Sequence, residues 1–219
     1  MKTSAVLSVL MLGLVGAIAA PPAFADTLYS NGPTNVEVYS WPIGYGASVS
    51  DSFTLLQAST ITGATFVLWA ESEPLSVSWS IGTAPFDDTD GSATTNPVST
   101  YDYTNARGWP IYTESISIPS LSLDSGTYWL TLQDAVTEYG VIYPDVDYYA
   151  YWDDNDGPSV AYASYYGNLN GVLGSAGSHS ETFQILGTAG SATPEPSSFL
   201  LLGSGLAGLA GLLKRKFRA

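Results

Sequence analysis

Two short acidic segments with similar sequences contain the residues best suited to bind a metal ion. They read Asp-Asp-Thr-Asp-Gly at residues 87–91 and Asp-Asp-Asn-Asp-Gly at residues 153–157. Clustered carboxylates beside a turn-forming glycine are the hard oxygen ligands that Ca²⁺ prefers, although neither segment has the Glu that closes an EF-hand loop. The other interpretation is ordinary turn chemistry, in which the Asp side chains cap their own backbone. If calcium is a cofactor, the expected ligands are Asp88, Asp90, Asp154 and Asp156.

Aromatic residues are concentrated over residues 148–166, where acidic and amide side chains accompany them. Exposed Tyr and Trp rings stack on the apolar faces of sugars, and neighbouring Asp and Asn side chains accept hydrogen bonds from sugar hydroxyls. The candidates for such a glycan site are Tyr149, Tyr151, Trp152 and Tyr165. The other interpretation, which we favour, is that alternate aromatic side chains point inward and fill the core.

Few residues of this chain are suited to catalysis. The absence of Cys removes thiolate nucleophiles and zinc–thiolate sites, and the single His, His179, lies among Gly and Ser residues that position a general base poorly. Glycoside hydrolysis needs two carboxylates at a fixed separation, but 20 acidic residues make such pairs unavoidable and therefore uninformative. We expect a protein that is not an enzyme, with a glycoside hydrolase as the least favoured alternative.

The segments that would position these residues have the pattern of short β-strands. Apolar and polar side chains alternate in runs separated by Gly, Pro, Asn, Asp and Ser, and no run has the period of an amphipathic helix. Half-buried strands need a second apolar face to cover them, so the predicted fold is an all-β, two-sheet antiparallel sandwich that is jelly-roll-like. Strands are predicted at residues 36–39, 49–55, 60–69, 75–81, 98–103, 112–118, 127–133, 146–152, 160–165 and 181–186.

The N-terminal segment has the composition of a secretion signal. Lys2 precedes an apolar run over residues 5–20, and residues 23–25 supply the small-x-small pattern that signal peptidase accepts. We therefore predict a signal peptide over residues 1–25, which signal peptidase removes before Asp26.

The C-terminal segment combines an apolar run with a block of positive charge. Residues 199–213 are uncharged. As a helix they span about 23 Å, which is shorter than the roughly 30 Å hydrocarbon core of a bilayer. Basic side chains that snorkel to the membrane surface make up part of this difference. By the positive-inside rule the basic residues stay cytoplasmic and hold the helix in the membrane. These stop-transfer residues are Lys214, Arg215, Lys216 and Arg218.

The C-terminal order of parts resembles a known bacterial sorting signal. Pro194, Glu195 and Pro196 are followed by two Ser residues, a short Leu/Gly/Ala-rich helix and the basic block, and residues 194–219 resemble the PEP-CTERM sorting domain of Gram-negative bacteria. The resemblance implies that a membrane enzyme, exosortase, recognises this tail and cuts near the Pro-Glu-Pro motif. Because proline fixes φ and lacks an N–H, the motif is expected to stay extended and accessible.

The predicted organisation is a signal peptide (residues 1–25), a β-sandwich ectodomain (26–187), a flexible linker (188–193) and the sorting domain (194–219). Of the 20 acidic residues only Glu195 lies outside residues 26–193, and of the six basic residues only Arg107 lies inside, which leaves a formal charge of −18. This charge argues against a nucleic acid partner, because phosphates are bound by clustered Lys and Arg.

The resemblance implies export through the inner membrane, with the C-terminal helix as a transient anchor and exosortase and signal peptidase as processing partners. We expect an acidic protein of the cell surface or extracellular matrix, associated with extracellular polysaccharide and biofilm, with a structural or adhesive role. The alternative function is a carbohydrate-binding module, assisted by calcium.

Overall fold

A computed structural model of the chain describes residues 25–34, 39–138, 150–165, 168–172 and 180–190. The strands among these residues pair antiparallel throughout and form two sheets, which confirms the predicted all-β sandwich. The jelly-roll connectivity stays a prediction. Residues 1–24 of the predicted signal peptide, the sorting motif and the basic tail lie outside the described residues, as do residues 191–193 of the predicted linker. Residues 188 and 189, which were predicted as part of that linker, belong to the last strand of the sandwich. Within the described residues, no helix reaches the length and apolarity that membrane crossing requires.

The larger sheet contains eight strands. They are β1 (Asp26–Ser30), β2 (Ser40–Pro42), β4 (Ser59–Trp69), β7 (Val98–Thr104), β8 (Pro110–Leu123), β10 (Tyr151–Asn155), β13 (Ser180–Glu181) and β14 (Phe183–Ala189). The central strand β4 pairs with β8, β10 and β14. Its sequence is rich in β-branched and aromatic residues, which pack well on a pleated surface.

The smaller sheet contains six strands in the order β12–β11–β3–β9–β5–β6. In chain order they are β3 (Ala47–Leu55), β5 (Pro74–Gly82), β6 (Gly91–Thr95), β9 (Gly126–Thr137), β11 (Ala161–Tyr165) and β12 (Asn168–Val172). β9 is central and pairs with β3 on one side and with β5 on the other.

The hydrophobic core fills the space between the two sheets. Tyr128, Leu130 and Leu132 of β9 are buried there, while Trp129 is half-buried on the other face, as the alternation in the sequence predicts. The larger sheet contributes Phe183 and Trp152, whose ring centroids lie 5.6 Å apart with an angle of 67° between the ring planes. Such edge contacts add to the stability that comes from the buried apolar area itself.

The strand predictions succeed where alternation is strict and fail where it is weak. Every predicted strand that lies fully within the described residues overlaps an observed strand. β1, β2, β6 and β12 were not predicted. Residues 153–155 were predicted as part of a turn but belong to β10, because their backbone pairs with β2 and β13. Two predicted strands lie partly outside the described residues. These parts are residues 36–38 of the strand predicted at 36–39 and residues 146–149 of the strand predicted at 146–152.

Candidate functional site

An aromatic cleft lies on the outer face of the larger sheet. The cleft has a volume of ≈ 280 Å³, and its lining consists of Tyr39, Ser40, Trp69, Arg107, Trp109 and Tyr151. Trp69 ends β4, Tyr151 begins β10 and Trp109 directly precedes β8, so neighbouring strand ends bring these side chains together.

A small apolar cluster supports the floor of this aromatic cleft. Val67, Trp69 and Ile111 are buried on the outer face, and Trp109 and Tyr151 pack against them. The rings of Trp109 and Tyr151 have centroids 5.5 Å apart and an interplanar angle of 71°. The cleft therefore presents aromatic surface held by packing rather than by loops alone.

A tight turn positions the one charged side chain of the cleft. The Asn105 side-chain oxygen accepts hydrogen bonds from the backbone N–H groups of Arg107 (2.9 Å) and Trp109 (3.0 Å). Gly108 has a φ of 85°, a conformation that glycine adopts without strain. Arg107 is exposed, and it is the only Lys or Arg between Lys2 and Lys214.

Of the four predicted glycan-binding residues, the three that the structure describes are not brought together. Tyr151 lines the aromatic cleft, but Trp152 is 0% exposed in the core and donates its indole N–H to the Thr182 carbonyl. Tyr165 is half-buried and packs against the core, and Tyr149 lies outside the described residues. The favoured interpretation, core packing, is confirmed for Trp152. Neighbouring residues of one strand face opposite sides, so Tyr151 and Trp152 could not share a site.

Sequence reasoning missed Tyr39, Trp69, Arg107 and Trp109 as a set. Tyr39, Trp69 and the turn that carries Arg107 and Trp109 are distant from one another in the sequence, and they meet through the pairing of β4 with β8 and β10 and of β2 with β10. One local signal was present, because residues 105–109 read Asn-Ala-Arg-Gly-Trp, a turn pattern that carries both a cation and an aromatic ring.

The first acidic segment forms a capped turn. The Asp87 carboxylate accepts hydrogen bonds from the N–H and hydroxyl groups of both Thr83 and Thr89, at 2.8–3.4 Å. The bond from the Thr89 hydroxyl is the main reason that the pKa of Asp87 is lowered. Asp88 is exposed and Asp90 is half-buried. This geometry is the turn chemistry that the sequence offered as the alternative to calcium.

The second acidic segment is largely buried. Asp153, Asp154 and Asn155 lie in β10 with at most 3% of each residue exposed, whereas Asp156 is exposed beyond the strand end. Asp154 and Asp156 therefore lie in different environments. Within the part of the chain that the structure describes, no three acidic or histidine side chains are arranged to hold a metal ion together.

A polar network links the two sheets near the end of β10. The Asp51 carboxylate of β3 accepts hydrogen bonds from the backbone N–H of Glu181 (2.6 Å), the backbone N–H of Ser52 (2.6 Å) and the Ser159 hydroxyl (2.8 Å). The buried Asn31 amide donates to the Ser159 hydroxyl (2.7 Å) and to the Glu181 carbonyl (2.6 Å). The alternation of apolar and polar residues in the sequence did not predict that any of these polar groups is buried.

Four buried carboxyl groups have raised pKa values. Burial raises the pKa of Asp51, of Glu114 and of Asp153 to about 7 in each case, because the charged form loses its hydration. Burial also raises the pKa of Glu181 well above its usual range, and the neighbouring acidic groups add to the effect. None of the four groups lines the aromatic cleft, although Asp153 accepts a hydrogen bond from the indole N–H of Trp69, which does.

Comparison with known proteins identifies the C-terminal segment. Residues 192–216 match the PEP-CTERM protein-sorting motif, which confirms the resemblance seen in the sequence. No curated protein matches the chain. The motif implies a protein that is exported to the cell envelope or surface and is a target of exosortase.

Proposed function

We propose that the chain is a surface or extracellular-matrix protein that associates with extracellular polysaccharide through the aromatic cleft, in a structural or adhesive role in biofilm. The cleft itself is the observation that carries this proposal. It places the Trp109 and Tyr151 rings beside one exposed guanidinium group, Arg107, in a region (residues 26–193) whose other charged residues are acidic.

The composition of the aromatic cleft suits a sugar ring. Pyranose C–H faces pack on Trp and Tyr rings, and an Arg side chain offers several N–H donors to ring hydroxyls. The half-buried Ser40 hydroxyl lines the same cleft and adds a polar group that both donates and accepts. A few polar groups beside an apolar wall are the usual composition of ligand sites.

The net charge favours a neutral polysaccharide over an anionic one. The predicted exported region carries a formal charge of −18, and Arg107 supplies its single positive side chain. Such a surface repels uronate or sulfate groups, and salt weakens this repulsion. A neutral β-glucan is therefore the ligand class that we propose.

The proposed route to the surface uses both ends of the chain. Signal peptidase removes residues 1–25, the helix at residues 199–213 holds the intermediate in the inner membrane, and exosortase cuts near Glu195. The basic residues behind the helix keep the tail in the cytoplasm until that cut.

Affinity electrophoresis tests the cleft directly. The full chain in non-ionic detergent is run through native gels that contain a soluble β-1,4-glucan or, in parallel, alginate. We expect the glucan to retard the protein and alginate to have a smaller effect. Trp109→Ala and Tyr151→Ala each remove a stacking ring, so each is expected to weaken glucan binding by about tenfold, which corresponds to about 1.4 kcal/mol.

A matched control is available on the same sheet. Tyr101 of β7 is 55% exposed and does not line the aromatic cleft, so Tyr101→Ala should leave the retardation unchanged. Equal losses in Tyr101→Ala and Trp109→Ala would show that any surface aromatic suffices and would contradict the proposal. Absence of retardation for the wild-type chain would contradict it as well.

A further inference from the structure

A second cleft lies beside the aromatic cleft on the outer face of the larger sheet. It has a volume of ≈ 370 Å³, and we call it the threonine cleft. Its polar and aromatic lining residues include Thr65, Asp102, Tyr103, Thr113, Thr182 and Gln184. Strand pairing brings them together, because Thr65 of β4 is opposite Gln184 of β14 and Val67 of β4 is opposite Thr113 of β8.

The two clefts share one apolar floor. Val67 and Trp69 lie two residues apart on β4, so their side chains face the same side of the sheet. Trp69 lines the aromatic cleft, whereas Val67 lines the threonine cleft. Both belong to the small apolar cluster of the outer face, against which Tyr103, Trp109 and Tyr151 pack. The threonine cleft is therefore the direct neighbour of the aromatic cleft.

One buried carboxylate is bonded to a residue of each cleft. Asp153 Oδ1 accepts a hydrogen bond from the Trp69 indole N–H (2.5 Å), and its Oδ2 accepts one from the Thr182 hydroxyl (3.1 Å). The Thr182 backbone N–H also donates to the Asp153 carbonyl (2.8 Å). Only 3% of Asp153 is exposed, so water does not compete strongly for these bonds. The position of one cleft relative to the other is therefore fixed by buried hydrogen bonds.

The combined length of the two clefts exceeds that of a single sugar. Thr65 lines the far part of the threonine cleft and Trp69 lines the aromatic cleft. Four residue steps along a strand cover about 13 Å. One pyranose ring is shorter than this distance. A sugar chain that follows β4 can therefore place different sugars in the two clefts.

The threonine cleft offers hydrogen-bond acceptors where the aromatic cleft offers rings and a guanidinium group. Asp102 is exposed, and its Oδ2 accepts a hydrogen bond from the Thr113 hydroxyl at 2.7 Å. A carboxylate has several lone pairs, so it can also accept bonds from sugar hydroxyls. The half-buried Gln184 side-chain amide both donates and accepts. The negative charge of Asp102 disfavours uronate and sulfate groups, in agreement with a neutral ligand.

We propose that the aromatic cleft and the threonine cleft form one groove that binds several consecutive sugars of a neutral polysaccharide chain. This inference rests on the proposed function. It adds that the protein recognises a stretch of the polymer rather than a single sugar, with ring stacking at one end of the groove and hydroxyl recognition at the other.

The dependence of affinity on ligand length tests the groove with the wild-type chain. Cellobiose, cellotetraose and cellohexaose are titrated by calorimetry into the full chain in a polyoxyethylene detergent, which carries no sugar. We expect cellohexaose to bind at least tenfold more tightly than cellobiose, because only the longer ligand reaches both clefts. A site for a single sugar would gain only in proportion to the number of sugars in the ligand.

A pair of substitutions separates the two clefts. Asp102→Ala with Gln184→Ala alters the threonine cleft alone, so it should weaken cellohexaose binding by about tenfold and leave cellobiose binding unchanged. Trp109→Ala should weaken the binding of both ligands. Asp88→Ala with Gln133→Ala is the matched control, because it makes the same two changes at exposed positions outside both clefts. This control should bind both ligands as the wild-type chain does.

The outcomes distinguish the groove from the proposed function. Equal affinity for cellobiose and cellohexaose overturns the groove, and so does wild-type cellohexaose affinity in the variant changed at Asp102 and Gln184. Equal losses in that variant and in the control pair overturn it as well. Retardation of the wild-type chain by the glucan gel would still support the proposed function in these cases. Failure of the wild-type chain to bind either the glucan or the oligosaccharides contradicts both.

Discussion

Leu130 and Trp129 are adjacent in β9, and their side chains lie on opposite faces of the smaller sheet. Leu130 is 0% exposed in the core, whereas Trp129 is half-buried on the outer face. We expect Leu130→Ala to lower the free energy of unfolding by about 2–5 kcal/mol, because it removes buried methyl groups and leaves a cavity. Trp129→Ala should cost distinctly less. Urea unfolding followed by circular dichroism measures both, and the reverse order would mean that the faces of β9 are assigned the wrong way round.

Glu114 makes the stability of the fold depend on pH. It is buried on β8 and accepts a hydrogen bond from the Ser99 hydroxyl at 2.6 Å, while its other carboxylate oxygen has no partner. Burial raises its pKa from 4.5 to about 7, so the folded state binds the proton more tightly than the unfolded state does. The stabilisation is therefore complete below pH 4.5 and is lost as the pH rises through about 7.

The expected result is a melting temperature that is higher at pH 5 than at pH 8, at constant ionic strength and without divalent cations. Asp51 acts in the same direction, because burial also raises its pKa to about 7. Glu114→Gln cannot lose a proton, so it should show a smaller fall between these two pH values than the wild-type chain. A wild-type chain that melts higher at pH 8 would contradict the assignment of these groups as buried acids.

At the scale of the elements, a β-bulge brings β14 close to β4. The register shifts between Leu186 and Gly187, and a Cβ atom added at Gly187 would lie 2.1 Å from the Thr60 carbonyl oxygen. Only glycine fits this approach. The bulge thus lets β14 pair with β4 on one side and β1 on the other without a steric clash.

Gly187→Ala should therefore lower the free energy of unfolding by about 1–3 kcal/mol, the usual range for an overpacked site. Gly126→Ala is the matched control, because a Cβ atom there meets the Tyr128 ring at an ordinary distance of 3.5 Å. Urea unfolding measures both variants. Equal and small losses would show that β14 does not pack as closely on β4 as the structure indicates.

Strand alternation in the sequence predicted much of the fold, because one face of each long strand is buried. β6 was missed since its residues are small, polar and mostly exposed, and its strand identity comes from pairing with β5. The Ser78–Thr94 hydroxyl contact of 2.8 Å across that pair is such a non-local interaction. Local pattern contains no information about a partner that is distant in sequence.

The candidate sites were predicted in part for the same reason. Tyr151 was identified from aromatic density, but its partners Trp69 and Trp109 come from other strands. Asp154 and Asp156 were predicted as metal ligands from clustered acids, but Asp154 is buried in β10 and Asp156 is exposed beyond the strand end. Composition and spacing indicate which residue types are available, while strand pairing decides which of them meet.

At the scale of the whole molecule, charge is strongly divided between the ends and the middle. Residues 26–193 contain one basic residue, whereas four of the last six residues are Lys or Arg. This division suits a chain whose acidic body is exported and whose tail stays behind. The match of residues 192–216 to the PEP-CTERM protein-sorting motif agrees with it.

Removing the basic tail should weaken membrane retention. Deletion of residues 214–218 removes all four stop-transfer charges, so more uncleaved chain should leave the inner membrane before processing. Membrane fractionation of cells that lack exosortase measures this, because no cleavage competes there. Arg107→Gln, which removes a positive charge from the ectodomain instead, should have no effect. Equal retention of the deleted and intact chains would contradict a stop-transfer role.

The most direct test of the account is the location of a chain whose sorting motif is removed. Pro194, Glu195 and Pro196 are replaced by Ala, and the variant is expressed beside the wild-type chain in a bacterium that has exosortase. Immunoblotting of inner-membrane and extracellular fractions should find the wild-type chain shortened and outside the cell. The variant should remain at full membrane-anchored length in the inner membrane, whereas its normal release would contradict sorting by this motif.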